Sequence, residues 1–232
     1  MQPYFFPYIG YFQLMAAVDV FVFHDDVQYI KGGWVNRNRL LNANAPLWWS
    51  MPVVKGDHHL SIRDRQYQHS DAQAKSMLNQ VDGLYRKAPQ YRRTREHLDR
   101  YFHHGATGVA AFNQFHLTSL AQELGLNCRF LVSSEMHKDD TLHGQARVIE
   151  LCRRVGATRY INPIGGTSLY DAEAFAAAGI ELQFLQSQAT DYAQFGGEHL
   201  PFLSIVDVLM FNDAAQTADL LPRYDLIAPA TA

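Results

Sequence analysis

The chain is poor in cysteine, in surplus charge and in long apolar runs, and each shortage removes a class of explanation. Of its 232 residues only Cys128 and Cys152 are cysteines. They lack a Cys-x-x-Cys spacing, which argues against a disulfide scaffold or thiolate zinc site and leaves both as expected reduced core residues. The formal charge is only −3, from 20 basic and 23 acidic residues, so no nucleic-acid partner is expected. No apolar run approaches the roughly 18 residues of a spanning helix, and the N-terminus carries neither a basic region nor a cleavage site. A cytoplasmic protein with no membrane span is the expectation. Also missing are a Walker loop, a dinucleotide fingerprint, a Gly-x-Ser-x-Gly elbow and a His-Glu-x-x-His pair, so standard hydrolase and zinc readings lack support and no metal is expected.

What is present is an ordinary globular composition, 47% hydrophobic and 19% charged, enough for one domain over 1–232. The rest is organised around residues 19–39. An apolar run at 18–23 ends abruptly in His24-Asp25-Asp26, and the next dozen residues hold Gln28, Lys31, Trp34, Asn36, Arg37 and Asn38 among two glycines. This reads as a buried strand delivering carboxylates to its carboxyl end, then a loop rich in hydrogen-bonding groups. Adjacent Asp25 and Asp26 cannot both point the same way from an extended strand. The structural alternative is that one caps the loop while the other pairs with Lys31 or Arg37.

Before that strand, Pro3 and Pro7 forbid an early helix, and the apolar pattern of Ile9, Phe12, Leu14 and Met15 predicts one up to about Val18. After it, residues 46–54 and 60–67 read as two strands joined by 55–59, a candidate hairpin. His58 and His59 lack the i, i+4 spacing that aims two rings at one ion, and they are left outside the site. Helical period runs from about 71 to 125, in segments 72–86, 89–102 and 109–124; the basic residues of the second read as a solvated face. Strand 129–133, helix 142–155, strand 159–162, helix 171–178 and strand 180–185 then alternate, the pattern of βαβ units and a parallel sheet. Ser204 to Asp207 opens a last helix. The fold class is therefore α/β, a mainly parallel sheet flanked by helices, with a mostly helical middle segment.

In such a sheet, ligands bind outside the carboxyl ends of the strands. Those ends are His24-Asp25-Asp26, Ser133-Ser134-Glu135 and Asn162 with Gly165-Gly166, and they should converge. Each has a plain structural alternative: turn serines, a surface acid, a tight turn before a helix.

The residues that carry a resemblance are Gln2 to Phe12, Asp25 to Lys31, Trp34 to Arg39, Ser133-Ser134-Glu135, Asn162 to Gly166 and Leu203 to Asn212. In these motifs, in this order over nearly its whole length, the chain resembles the WbqC-like family. The resemblance implies a setting in bacterial surface-polysaccharide (O-antigen) biosynthesis. It suggests a transferase or ligase that N-acylates, or aminoacylates, an amino sugar on a nucleotide-sugar substrate, with acyl-CoA or an ATP-activated amino acid as acyl donor. Asp25 or Asp26 would then take the amine proton, and Lys31 and Arg37 would stabilise charge. Gln2, Tyr4, Gln28, Trp34, Asn36, Arg37, Ser133, Ser134, Glu135, Asn162, Gly165 and Gly166 would contact substrate. The alternative is a non-catalytic nucleotide- or sugar-binding partner of the same pathway, with Trp34 and the tyrosines as stacking surfaces.

Overall fold

Pro3 and Pro7 keep the opening residues out of helix, and the first helix, α1 (Ile9–Ala16), begins beyond them with every residue from Ile9 to Met15 buried. The structure is a computed structural model that describes residues 1–188, 190–196 and 198–229. At Gly10 an added Cβ would fall 2.3 Å from the Tyr8 ring, so the close approach of loop and helix needs glycine. The apolar run after α1 becomes β1 (Val20–Phe23), paired in parallel with β4 (Arg129–Val132).

Between them the structure departs from the sequence reading. Residues 46–54 and 60–67 meet only at their ends, in an isolated antiparallel bridge of Val53 with Tyr67 where Val54 N–H donates to Gln66 O at 2.8 Å, and they form no continuous hairpin. Instead β2 (Arg37–Asn42) and β3 (Ala45–Ser50) form an antiparallel hairpin, turned at Ala43 with φ 52°. Burial drives this register, because Trp49 is fully buried and its indole N–H donates to the Met77 carbonyl at 3.2 Å. Segment 60–67 holds a 3-10 turn, Ile62–Asp64, and isolated bridges at Ser61, Gln66 and Tyr67 in place of a strand. Its backbone is spent on the loop after β1, with Ile62 N–H donating to Val27 O and Arg63 N–H to Asp25 O. The alternation there reflects buried Ile62 and Tyr67, not a strand.

The middle is helical as expected: α2 (Asp71–Tyr85), capped by Ser70, then α3 (Tyr91–Phe102) and α4 (Val109–Glu123). The basic face of α3 is partly neutralised by Arg95 with Asp82 and Asp99, and Arg100 with Glu123. The last third alternates as read: α5 (Gly144–Val155), β5 (Arg159–Pro163), α6 (Ala172–Ala177) and β6 (Glu181–Ser187), with β5 and β6 parallel. Gly156 ends α5 in the left-handed conformation that glycine adopts without cost. Helices α7 (Ile205–Phe211) and α8 (Ala214–Leu220) precede β7 (Tyr224–Ile227), which pairs antiparallel to β6; α8 and β7 carried no reading in the sequence.

The fold is thus α/β, its strands gathered as β1-β4, β2-β3 and β5-β6-β7. Buried residues form two clusters. The larger, rich in aromatics, takes in α1, β1, the hairpin and α2 to α4; the smaller gathers Val148, Cys152, Phe175, Ile180, Leu182 and Phe184 around α5, α6 and β6. Cys128 and Cys152 are free and buried, and burial pushes each thiol up to about 11.

Candidate functional site

At the end of β1 the two acids diverge, as an extended chain requires. Asp25 is buried, its two carboxylate oxygens accepting from the Ser134 N–H at 3.0 Å and the Ser134 hydroxyl at 2.6 Å. Asp26 turns the other way, accepting from the Ser133 hydroxyl at 3.1 Å and meeting Lys138 at 2.8 Å and Arg147 at 2.5 Å. The three charged side chains are nearly sealed, at 4% exposure for Lys138, 8% for Asp26 and 11% for Arg147. Burial works against ionisation of Asp26, but Lys138, Ser133 and Arg147 outweigh it and hold the carboxyl below its usual range. Among the described residues, one acceptor and one donor of this group have no partner: Asp26 Oδ1 and Arg147 Nε.

Beside this group lies a crevice of about 450 Å³. Gln2 and Tyr4 line it from the opening segment, His24 from the end of β1, Arg147 from the first turns of α5, and Asn162, Gly165 and Gly166 from the end of β5. Burial drives the His24 imidazole down to about 3, so it is neutral at physiological pH. Asn162 accepts from the Tyr160 hydroxyl at 3.2 Å and donates to the Pro163 carbonyl at 3.0 Å. A Cβ on Gly166 would lie 2.0 Å from the Asn162 amide, so the loop closes over Asn162 only with glycine there. No side chain caps the start of α5, whose free N–H groups and partial positive charge favour an anion.

The structure therefore brings together Asp25, Asp26, Ser133 and Ser134, with Gln2, Tyr4, Asn162, Gly165 and Gly166 around the adjoining crevice. It does not bring the loop after Asp26 into that group. The loop is drawn off to segment 60–67, and Gln28 is exposed, its amide donating to the His58 carbonyl at 3.0 Å. Lys31 and Glu135 are exposed and belong to none of the ion pairs among the described residues. Neither Lys31 nor Arg37 pairs with the acids; that place is taken by Lys138 and Arg147. Asn36 bonds Tyr29 and the Met51 carbonyl. Arg37 bonds the carbonyls of Gly32 and Gly33 and lies 4.1 Å over the Trp48 ring, while Trp34 and Trp48 face each other at 5.6 Å on the surface of the hairpin.

Arg147 and Lys138 were missed by sequence reasoning, and His24 was named at the strand end but given no role. Arg147 did leave a signal, since it precedes Leu151 by one helical turn and so falls on the buried face of α5. Lys138, in an irregular segment, left none. On the exposed turn, Asp57, His58 and His59 bring their ligand atoms within 4.8 Å of one another, closer than adjacency suggested.

A second buried carboxylate lies apart from the crevice. Asp207 on α7 accepts from the Tyr85 hydroxyl at 2.8 Å, the Tyr192 hydroxyl at 2.5 Å and the Gln194 amide at 2.8 Å. Burial raises its pKa and these donors only partly offset the rise.

Among the described residues no helix is long and apolar enough to cross a membrane. The family model described as WbqC-like protein family matches residues 2–219. A relative from Mycobacterium tuberculosis (strain ATCC 25618 / H37Rv), named "Uncharacterized protein Rv1507c", is 31% identical over 228 residues, 97% of this chain and 96% of its own length. No solved structure matches the chain.

Proposed function

The chain belongs to the WbqC-like protein family, and we propose that it acts in bacterial surface-polysaccharide (O-antigen) biosynthesis on a nucleotide-linked amino sugar, held by its phosphates in the crevice beside Arg147. The observation that carries this reading is the buried Arg147, with a guanidinium Nε–H that has no acceptor among the described residues, at the uncapped amino-terminal end of α5 in a crevice also lined by Gly165 and Gly166. A cation, free backbone N–H groups and a close-approaching glycine loop suit a phosphate. N-acylation of the sugar amine by acyl-CoA or an ATP-activated amino acid is the reaction that the family setting supports.

In this reading Asp26 anchors Arg147 at the wall of the crevice. Its depressed pKa suits it to staying ionised and suits it poorly to removing a proton, which works best near the operating pH. Asp25 is already saturated by Ser134. That commitment of both acids favours the second reading, a nucleotide-sugar-binding partner of such an enzyme.

The test is a calorimetric titration with a nucleotide-linked amino sugar, together with mass spectrometry after adding acyl-CoA, or ATP and amino acids. Arg147→Lys keeps a cation for Asp26 but loses the planar fork, and is expected to weaken binding about tenfold, the equivalent of one charge-assisted hydrogen bond. A mass-shifted sugar identifies the enzyme, and tight binding without product identifies the partner protein. Absence of any binding, or unchanged affinity in Arg147→Lys, overturns the site.

A further inference from the structure

Several side chains that follow the two acids in sequence lie instead on the open face of the hairpin. Arg37 and Arg39 alternate along β2 and so share a face, and Trp48 stands opposite Arg39 in the register. The other face, with Asn38, Leu40 and Trp49, is buried. Trp34 joins the open face from the preceding loop, its carbonyl accepting from the Phe5 N–H at 3.0 Å. Its ring lies 5.6 Å from that of Trp48. The Arg39 guanidinium lies 5.5 Å over Trp34, as that of Arg37 lies 4.1 Å over Trp48. Two cations and two half-exposed indoles thus form one continuous platform.

A further apolar side chain extends it at each end. Arg37 donates to the carbonyls of Gly32 and Gly33 and so grips the turn that carries Ile30, which is 58% exposed. Arg39 donates to the Phe202 carbonyl at 3.1 Å, and Phe202 is 62% exposed. The φ of Phe202 is 56°, a left-handed conformation that a bulky residue adopts only at a cost. Strained backbone that turns an aromatic ring out to water gains nothing for the core.

The charge here is of one sign. From Val27 to Gly56 the chain carries Lys31, Arg37, Arg39 and Lys55 and no acid, although the whole chain stands at −3. None of these cations is in an ion pair among the described residues. Exposed apolar side chains interleaved with uncompensated cations complement a surface that is anionic outside and apolar just beneath. An acidic polymer would match the cations and leave the apolar side chains in water. A second copy would set like charges against each other, and β3, the open edge of the hairpin, carries Pro46, which has no N–H for a partner strand.

We propose that this face of the hairpin docks on an anionic lipid bilayer, with Trp34, Trp48, Ile30 and Phe202 entering the headgroup region and Lys31, Arg37 and Arg39 meeting the lipid phosphates. Trp suits that depth because its ring is apolar and its N–H is polar. Docking of this kind needs no spanning helix, and it does not depend on what the crevice binds.

Tryptophan emission tests it directly. The chain's tryptophans are Trp34, Trp48 and Trp49, and Trp49 is fully buried, so a blue shift on adding vesicles reports the two on the platform. Phosphatidylcholine vesicles containing about one third phosphatidylglycerol are expected to cosediment with the protein and to shift its emission, and vesicles of phosphatidylcholine alone to do little of either. The double variant Trp34→Ser, Trp48→Ser is expected to lose about tenfold or more in vesicle affinity. Lys31→Gln tests the same face without touching the rings, at an exposed side chain outside every ion pair among the described residues. It should lose about fivefold, and the loss should shrink as added salt screens the surface. Absence of cosedimentation with the anionic vesicles, or undiminished affinity in either variant, overturns the proposal. So does an equal blue shift with lipid-free dextran sulfate, which would give the face to an acidic polymer. A shift that grows with protein concentration alone would give it to a second copy and overturns the proposal as well.

Discussion

Asp26 and Asp207 are both almost sealed from water, yet their surroundings push them in opposite directions. Asp26 is met by two cations, and its pKa falls; Asp207 is met by two phenols and an amide, and its pKa rises. The difference separates a charged site from an architectural pin. Lys138 and Arg147 come from a loop and from α5, so the Asp26 group ties the end of β1 to the wall of the crevice. The Asp207 group ties together α7, α2 through Tyr85, the hairpin through Leu41 N–H on the Tyr85 oxygen at 2.7 Å, and the 190s through Tyr192 and Gln194. Neutral donors suffice for holding segments in place; paired cations suit a place that must also receive a charged ligand.

The largest effect should come from Asp26→Ala, which leaves Lys138 and Arg147 buried and uncompensated. A loss of about 3–5 kcal/mol is expected, read as a shift in the urea midpoint at pH 7. Because the folded pKa is depressed, this contribution is present above the unfolded value near about 4 and lost as pH falls through the lower folded value. The gap between wild type and variant should therefore narrow below about pH 4. A midpoint shift under about 1 kcal/mol would mean that the two cations do not depend on Asp26.

The Asp207→Asn variant should cost less, about 1–3 kcal/mol, since an amide group then faces hydroxyl and amide donors. Here the sign reverses. A raised folded pKa gives stability that is fully present below the unfolded value near about 4 and lost as pH rises through the folded one. The gap between wild type and Asp207→Asn should thus widen on acidification. Two parallel pH series of denaturation midpoints distinguish the cases, and equal slopes would dissolve the contrast.

Sequence pattern made the last third legible because helix and strand periods alternate there at βαβ spacing, with glycines at the helix ends. The convergence of Asp25, Asp26, Ser133 and Ser134 also followed from strand ends. The loop after Asp26 misled, because polar residues near an acid pair read alike whether they face a crevice or build a turn. Gln28, Asn36 and Arg37 all spend their side chains on loop carbonyls or on a neighbouring tyrosine. The hairpin of 37–42 with 45–50 went unread, since Trp48 and Trp49 announce a strand but not its main partner; the expected neighbour, 60–67, meets this segment only at the bridge of Val53 with Tyr67. Ser204 and Asp207 were seen only as a helix start. Ser204 in fact also donates its hydroxyl to the Phe6 carbonyl at 2.7 Å, pinning the loop where Phe6 has φ 40°. Contacts between residues nearly 200 positions apart leave no local trace.

The smallest effect is expected from Tyr192→Phe. It removes one donor from Asp207 Oδ2, but Gln194 still donates to that oxygen at 2.8 Å and Tyr85 to the other. A cost of about 1 kcal/mol follows for one hydrogen bond to a carboxylate that keeps its other partners. The lost bond favours the ionised form, so its removal raises the Asp207 pKa further. The variant's deficit should accordingly shrink as pH falls and the carboxyl protonates, opposite to the widening expected for Asp207→Asn. The Phe ring keeps the edge-on contact that Tyr192 makes with His199 at 4.8 Å, which confines the change to the hydroxyl. A deficit that stays constant from pH 7 to pH 4 would show that the Tyr192 hydroxyl does not discriminate between the two forms of Asp207, and that burial alone sets its behaviour.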